Sequence, residues 1–282
     1  MTVLVFGQNG QVATELRQLE GVISLGRNQA NLEDPQSCAF EIRTHAPKAV
    51  INAAAYTAVD RAEKEEALAT RINGDAPALM AKVCAELDIP FVHVSTDYIF
   101  DGTGERPRRP DDHPAPPNSY GRSKLAGEDG VRAVGGRYAI LRTSWVFSAH
   151  GTNFVRTMLR LSATRDELNV VDDQIGGPTS ARDIAQACVT IAKQLRQDPS
   201  KSGTYHLTGT PDVSWYSFAQ EIFRRTGRSI AVNPISTHDY PTPALRPLNS
   251  RLDCRQTEEK FGISRPDWKR ALDDVLNELE ME

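Results

Sequence analysis

A chain of 282 residues, 39% of them hydrophobic, can bury a full core as one large domain or as a domain with a smaller lobe. Its formal net charge of -4 offers none of the basic surface that nucleic acid demands, so no nucleic-acid partner is expected. No apolar run approaches the ~20 residues that cross a bilayer, and the opening MTVLVFG lacks the basic and small-residue features of a secretory signal, so a cytoplasmic protein without a membrane partner is expected.

The first half alternates. TVLVFG (2–7) is a short apolar run suited to a strand buried on both faces. From Gly10 to Glu20, Val12, Leu16 and Leu19 recur at helical spacing. VISLG (22–26) reads as a second strand, and Asp34-Pro35 as an N-cap with proline at the first helical position, opening a helix to about His45. AVINAAA (49–55) and PFVHVST (90–96) are the next strands, separated by an Ala- and Glu-rich helical stretch that Pro77 divides. YAILRTSWVF (138–147) is a further strand. Apolar strands alternating with helices predict a Rossmann-type, doubly wound parallel α/β sheet.

Beyond residue 150 the pattern loosens. Helices are expected over 154–161 and 181–195, the second with Ser180 and Asp183 as a capping box. Strands are expected at 168–174 and 203–209. A helix at 215–225, the AVNPI segment, a proline-rich loop at 234–247 and an amphipathic helix at 266–279 complete the chain. The expected division is a dinucleotide-binding domain over 1–147 and, over 148–282, mainly a smaller substrate-binding lobe, with segments returning to the sheet. Cys38, Cys84, Cys188 and Cys254 stand far apart and the six histidines show no ligand spacing, so buried free thiols and no metal site are expected.

Two strings carry chemistry. Gly7-Gln8-Asn9-Gly10-Gln11-Val12-Ala13 sits where the first strand turns into the first helix, the place where a dinucleotide pyrophosphate approaches the backbone and a helix N-terminus. The second strand ends in Leu25-Gly26-Arg27 with no carboxylate to hold ribose hydroxyls. This favours NADPH, with NADH still open; Arg27 can equally be a solvated surface residue. In Tyr120-Gly121-Arg122-Ser123-Lys124, tyrosine and lysine share a helix face. A phenol with a pKa of about 10 needs a neighbouring cation to work near neutrality. Pro116 and Pro117 place Tyr120 in the first turn of its helix, and Thr96 offers a hydroxyl at the end of the fourth strand.

These residues resemble the extended short-chain dehydrogenase/reductases. Within them, NAAAYTAVDRAE (52–63), STDYIFDG (95–102), YGRSKLAGE (120–128), LRTSWVF (141–147), NFVRTML (153–159), DDQIGGPT (172–179) and PTPALRPLNSRLD (241–253) resemble the dTDP-4-dehydrorhamnose reductase family, in unbroken order along the chain. The resemblance implies hydride transfer from reduced nicotinamide to the C4 keto carbon of dTDP-4-dehydro-L-rhamnose. It makes Tyr120 the proton donor, Lys124 the residue that holds the nicotinamide ribose and tunes Tyr120, and Thr96 the group that polarises the carbonyl. It implies that Gly10, Gln11 and Val12 carry the pyrophosphate, and that Gly7, Gln8, Asn9, Arg27, Asn31, Leu32, Ala53, Ala54, Ala55, Tyr56 and Thr57 line the cofactor. Thr96, Asp97 and Trp145 would face the substrate; Asn153, Gln174 and Arg246 are candidates for its diphosphate side, each with a structural reading as well.

Some members of the family dimerise through magnesium held by glutamates. Glu15 is present, but Ala181-Arg182-Asp183 supplies no glutamate, and Asp273, Asp274, Glu278, Glu280 and Glu282 read as a solvated helix face. A magnesium-bridged dimer is therefore not expected, and monomer and homodimer both stay open. Two other readings compete: a nucleotide-sugar epimerase or dehydratase of the same superfamily, and a non-catalytic regulatory subunit of methionine adenosyltransferase. A dehydratase would want an Asp-Glu pair after the strand-end hydroxyl, where this chain has Asp97-Tyr98.

Overall fold

The computed structural model describes residues 1–281. The first half runs β1 (Val3–Phe6), α1 (Gln11–Arg17), β2 (Val22–Leu25), α2 (Pro35–His45), β3 (Ala49–Asn52), α3 (Val59–Ala62), α4 (Glu66–Thr70), a π-helical turn (Arg71–Asp75), α5 (Ala76–Glu86), β4 (Phe91–Thr96), α6 (Ser119–Val134) and β5 (Tyr138–Thr143). Asp34 caps α2 by accepting from the Gln36 N–H at 3.2 Å, with Pro35 just inside the helix. Pro77 divides the Ala-rich stretch differently from the expectation. It lies in the first turn of α5, and the break is the π-helical turn before it. A wider turn there accommodates the missing N–H and the ring without ending the helical run.

The second half runs β6 (Val146–Phe147), α7 (Phe154–Leu161), β7 (Glu167–Val171), β8 (Ile175–Gly176), β9 (Thr179–Ser180), α8 (Ala181–Gln197), β10 (Gly203–His206), β11 (Val213–Ser214), α9 (Trp215–Arg225), β12 (Ala231–Ile235), β13 (Asn249–Ser250), α10 (Arg255–Phe261) and α11 (Trp268–Met281). The strand expected over 138–147 breaks after Thr143, because Trp145 adopts a left-handed backbone (φ 51°) and β6 leaves the sheet to pair with β9.

Six parallel strands form the main sheet in the order β10-β5-β4-β3-β1-β2. One face packs on α1 and α8 through Val12, Leu16, Ile184, Cys188, Ile191 and Leu195; the other packs on α2, α5 and α6 through Ile42, Met80, Val83 and Val131. The sheet is thus doubly wound, and its crossovers reverse direction between β1 and β3. In such sheets the crevice beyond the carboxyl ends of the strands at that reversal receives the ligand. Residues 181–206 return to this layer, since α8 covers a face and β10 adds the edge strand.

The remaining segments build a second apolar core around Phe147, Val155, Phe218, Ile222, Trp268 and Leu272, with β7 paired to β12 and β8 held between β11 and β13. All four cysteines are buried and free. Among the described residues no helix is long and apolar enough to cross a membrane.

Candidate active site

The glycine turn is built by sterics. Gly7 has φ +120°, and a Cβ there would lie 3.1 Å from the Ala13 Cβ and 3.4 Å from the Ala53 backbone. Only glycine keeps β1, α1 and the end of β3 this close while leaving the turn open. Gly10 is the N-cap of α1 and provides no side-chain cap, so the first N–H groups of the helix lack that partner. Residues 9–12, Ala53, Ala54, Ala55 and Thr57 line one wall of a cleft of about 570 Å³; Thr96, Asp97, Tyr120, Lys124 and Trp145 line the rest. A smaller cavity of about 130 Å³ adjoins Gly7 and is lined by Leu25, Arg27, Asn31, Leu32, Ala54 and Ala55. The two cavities share Ala54 and Ala55 and together follow the turns after β1, β2 and β3, an arrangement that fits a dinucleotide.

Not every expected residue joins it. Gln8 and Tyr56 line neither cavity: Gln8 lies against Gly26, and the Tyr56 hydroxyl donates to Glu65 at 2.6 Å. The Arg27 side chain is 72% exposed and stands 3.3 Å from Glu33, at the mouth of the smaller cavity.

Helix α6 delivers the Tyr-Lys pair. Asn118 caps it by accepting from the Gly121 N–H at 2.8 Å, which places Tyr120 in the first turn. Gly121 lets the helix sit directly on β4's exit, because a Cβ there would drive into the Tyr98 carbonyl. The Tyr98 and Tyr120 rings meet edge to face at 5.6 Å. Burial pushes the Tyr120 phenol up to about 12, its hydrogen bond with Thr96 works against that shift, and the Asp97 charge adds to it. Thr96 donates its one hydroxyl proton to Asp97 Oδ1 at 3.0 Å and accepts from the Tyr98 N–H at 3.2 Å. Asp97 is buried, and desolvation raises it to about 6 against hydrogen bonds from Ser250 and Thr96. Lys124 Nζ donates to the Val94 carbonyl at 2.8 Å and lies 3.3 Å from His93 Nε2. Burial lowers it to about 8, while Glu128 favours the charged form.

One turn further along α6, Glu128 is fully buried and fully paired. It accepts from Arg142 at 2.9 and 2.6 Å, from Arg132 at 3.0 Å and from Ser95 at 2.6 Å.

Trp145 stacks on Trp215 with ring centroids 3.6 Å apart and planes at 11°, forming the lobe-side wall. The other three candidates for substrate contact lie outside the cleft lining. Asn153 caps α7 and donates to the Ser148 and His150 carbonyls; Gln174 accepts from Trp215 Nε1 at 3.2 Å; Arg246 pairs with Asp60 at 2.8 Å. Sequence reasoning passed over Trp215, which only the tertiary stack identifies. It also passed over Asn73 in the π-helical turn, which bonds Tyr56 N, Tyr56 O and Ser123. An Asn-Gly pair inside an Ala-rich helix was the available signal.

Glu278 corrects the reading of the C-terminal acids as a solvated face. With Glu15 and His150 it brings ligand-type atoms within 4.8 Å of one another. Arg182 lies 3.1 Å from Glu15 and 2.9 Å from Glu278 and pairs with both carboxylates. This partly buried pairing joins α1, α8 and α11, three segments far apart in sequence. Glu282 lies outside the described residues.

A doubly wound sheet, a glycine turn at its crossover reversal, and Thr, Tyr and Lys gathered at the exit of β4 define an extended short-chain dehydrogenase/reductase. The family described as RmlD substrate binding domain matches residues 1–281, and the chain belongs to it. A dTDP-4-dehydrorhamnose reductase of Sinorhizobium fredii is 44% identical over 281 residues, covering 96% of this chain and 95% of its own. The crystal structure of a dTDP-4-dehydrorhamnose reductase from Clostridium acetobutylicum superposes with a TM-score of 0.93 at 37% identity, over 99% of this chain and 100% of that one. A second, from Bacillus anthracis and in complex with NADP, gives 0.91 at 34% identity over 99% and 100%.

Proposed function

We propose that this chain reduces the C4 keto group of dTDP-4-dehydro-L-rhamnose with NADPH, giving dTDP-L-rhamnose. The observation that carries the reading is the meeting of Tyr120 and Thr96 in the cleft, in a chain similar over its whole length to reductases named for that substrate. When bound, the reduced nicotinamide supplies hydride to the carbonyl carbon. Everything else falls to the protein.

Tyr120 is held as a neutral phenol by its burial, so it arrives with a proton to give. That proton goes from Tyr120 Oη to the carbonyl oxygen as negative charge develops there. Thr96 turns its hydroxyl toward the same oxygen and stabilises it. The first turn of α6 and a charged Lys124 favour the phenolate left behind. Trp145, backed by Trp215, closes the cleft over the sugar and excludes water. Arg27, set at the small cavity, takes the ribose phosphate of the cofactor. Asn153, Gln174 and Arg246 support the lobe that carries this wall.

The test is oxidation of NADPH by the purified chain with enzymatically prepared dTDP-4-dehydrorhamnose, run beside NADH. Stoichiometric loss of reduced cofactor with formation of dTDP-L-rhamnose is expected. Turnover without net cofactor loss would instead mark an epimerase, and cofactor binding with no turnover would mark a non-catalytic subunit.

A further inference from the structure

The proton-carrying groups behind Lys124 form a chain whose direction can be read. The Ala54 backbone N–H, which can only donate, lies 3.2 Å from Asn52 Oδ1. That contact fixes the orientation of the amide and leaves Asn52 Nδ2 facing His93 Nδ1 at 3.2 Å. An amide nitrogen also only donates, so His93 Nδ1 must be bare and the ring proton sits on Nε2. Nε2 in turn lies 3.3 Å from Lys124 Nζ, whose other partner is the Val94 carbonyl at 2.8 Å. An ammonium has no lone pair and would meet the Nε2–H donor to donor. A neutral amine accepts from Nε2–H and donates to Val94.

We propose that His93 is a positioning residue for Lys124: its Nε2–H tautomer, fixed from Ala54 through Asn52, opposes the charging of the lysine in the cofactor-free enzyme and shifts it toward the neutral amine. The inference rests on the proposed part of Lys124 as the charge that favours the Tyr120 phenolate, and it extends that reading to a residue that does not line the cleft.

Burial agrees with the direction of the chain. His93 is fully buried and Lys124 2% exposed. Desolvation first, and then the Lys124 charge, hold the imidazole well below its ordinary range. The charged groups facing the pair do not undo this. Glu128, on the same helix, favours the ammonium but is taken up by Arg142 on β5 and by Arg132. Phe91 on β4 lies parallel to the imidazole at 6.2 Å, and Asn52 comes from β3. Tyr120 shares the cleft with Lys124. To charge Lys124, the site must give up one hydrogen bond of the chain, either at Nε2 or, after a tautomer change, at Asn52.

Histidine side-chain ¹⁵N NMR of the full chain tests this without turnover, the His93 signals being assigned by their loss in His93→Gln. The expected result is a neutral ring protonated at Nε2 and bare at Nδ1, unchanged from pH 8 to pH 6. An Nδ1–H tautomer or an imidazolium at pH 7 would overturn the proposal. Asn52→Asp supplies the second arm, because a carboxylate accepts from both Ala54 and His93. It should move the proton to Nδ1, free Nε2 to accept from the ammonium, and raise the Lys124 limb of the kcat–pH profile by about one pH unit. A switched tautomer with an unmoved limb would also overturn it. If Asn52→Asp fails to fold, the NMR of the unmodified chain still decides. Absent turnover with the expected tautomer would count against the reductase reading and leave the proposal standing.

Discussion

Lys124 and Glu128 lie one turn apart on α6, and both are buried, yet the fold treats them in opposite ways. Glu128 has a full set of donors from Arg142, Arg132 and Ser95, so its charge is matched from β5, from its own helix and from β4. Lys124 has only a carbonyl and an imidazole. A buried charge with every lone pair satisfied pins a helix to a sheet. A buried amine left with neutral partners is costly to charge, which suits a group whose charge is tuned at the site. The first end of α6 is therefore set for chemistry and the next turn for anchorage.

The sharpest way to break that division is at Tyr120. Tyr120→Phe removes only the proton donor and should lower kcat by about 10²–10⁴-fold. Fluorescence titration with NADPH should still give near-normal affinity. At the anchoring turn, Glu128→Gln leaves the Arg142 guanidinium buried without its carboxylate. A loss of about 3–5 kcal/mol in urea unfolding is expected.

His206 sharpens the same contrast through pH. It is fully buried beside Arg142, and burial first, then that guanidinium, lower it to about 3. Its folded value lies below the unfolded value of about 6.5, so the stability it contributes is complete above that pH and is lost as pH falls toward 3. Asp97, raised to about 6, has the opposite sign and gains stability as pH falls from about 6 toward 4. Between pH 7 and pH 5 His206 should take away about 2 kcal/mol and Asp97 return about 1 kcal/mol, so unfolding midpoints should show a small net fall. His206→Gln should flatten that slope.

Two smaller effects probe the cleft walls. Arg27→Ala should reduce the preference for NADPH over NADH by about tenfold, a loss of ~1.4 kcal/mol for one charge-assisted contact at an exposed site; equal losses for both cofactors would remove Arg27 from the phosphate. Trp215→Ala should take away the stack behind Trp145, worth about 0.5–1.5 kcal/mol. It should raise KM for the sugar nucleotide more than it lowers kcat.

The sheet was legible because its first five strands are apolar runs closed by turn residues, and helices of regular period separate them. The lobe was not. Strands such as β8, β9 and β11 contain two residues each, too few to show any period, and depend on partners far along the chain. Trp145 reads as strand but turns out of it with a left-handed backbone, its ring stacked on Trp215 from far along the chain. Within the site, Tyr120, Lys124 and Thr96 were legible from spacing and position. Asn153 and Gln174 show the limit of that reading, since a polar residue near a cleft is often a cap or a prop. Glu278 and Arg182 are 96 residues apart, and nothing local announces their pairing.

The division of α6 is tested most directly by measuring kcat and the urea midpoint together for Tyr120→Phe and Glu128→Gln. A crossed pattern is predicted: the first variant keeps its midpoint and loses turnover, while the second loses stability and keeps turnover of its folded fraction within about tenfold of the parent. Near-normal turnover in Tyr120→Phe, or an unmoved midpoint in Glu128→Gln, would contradict it.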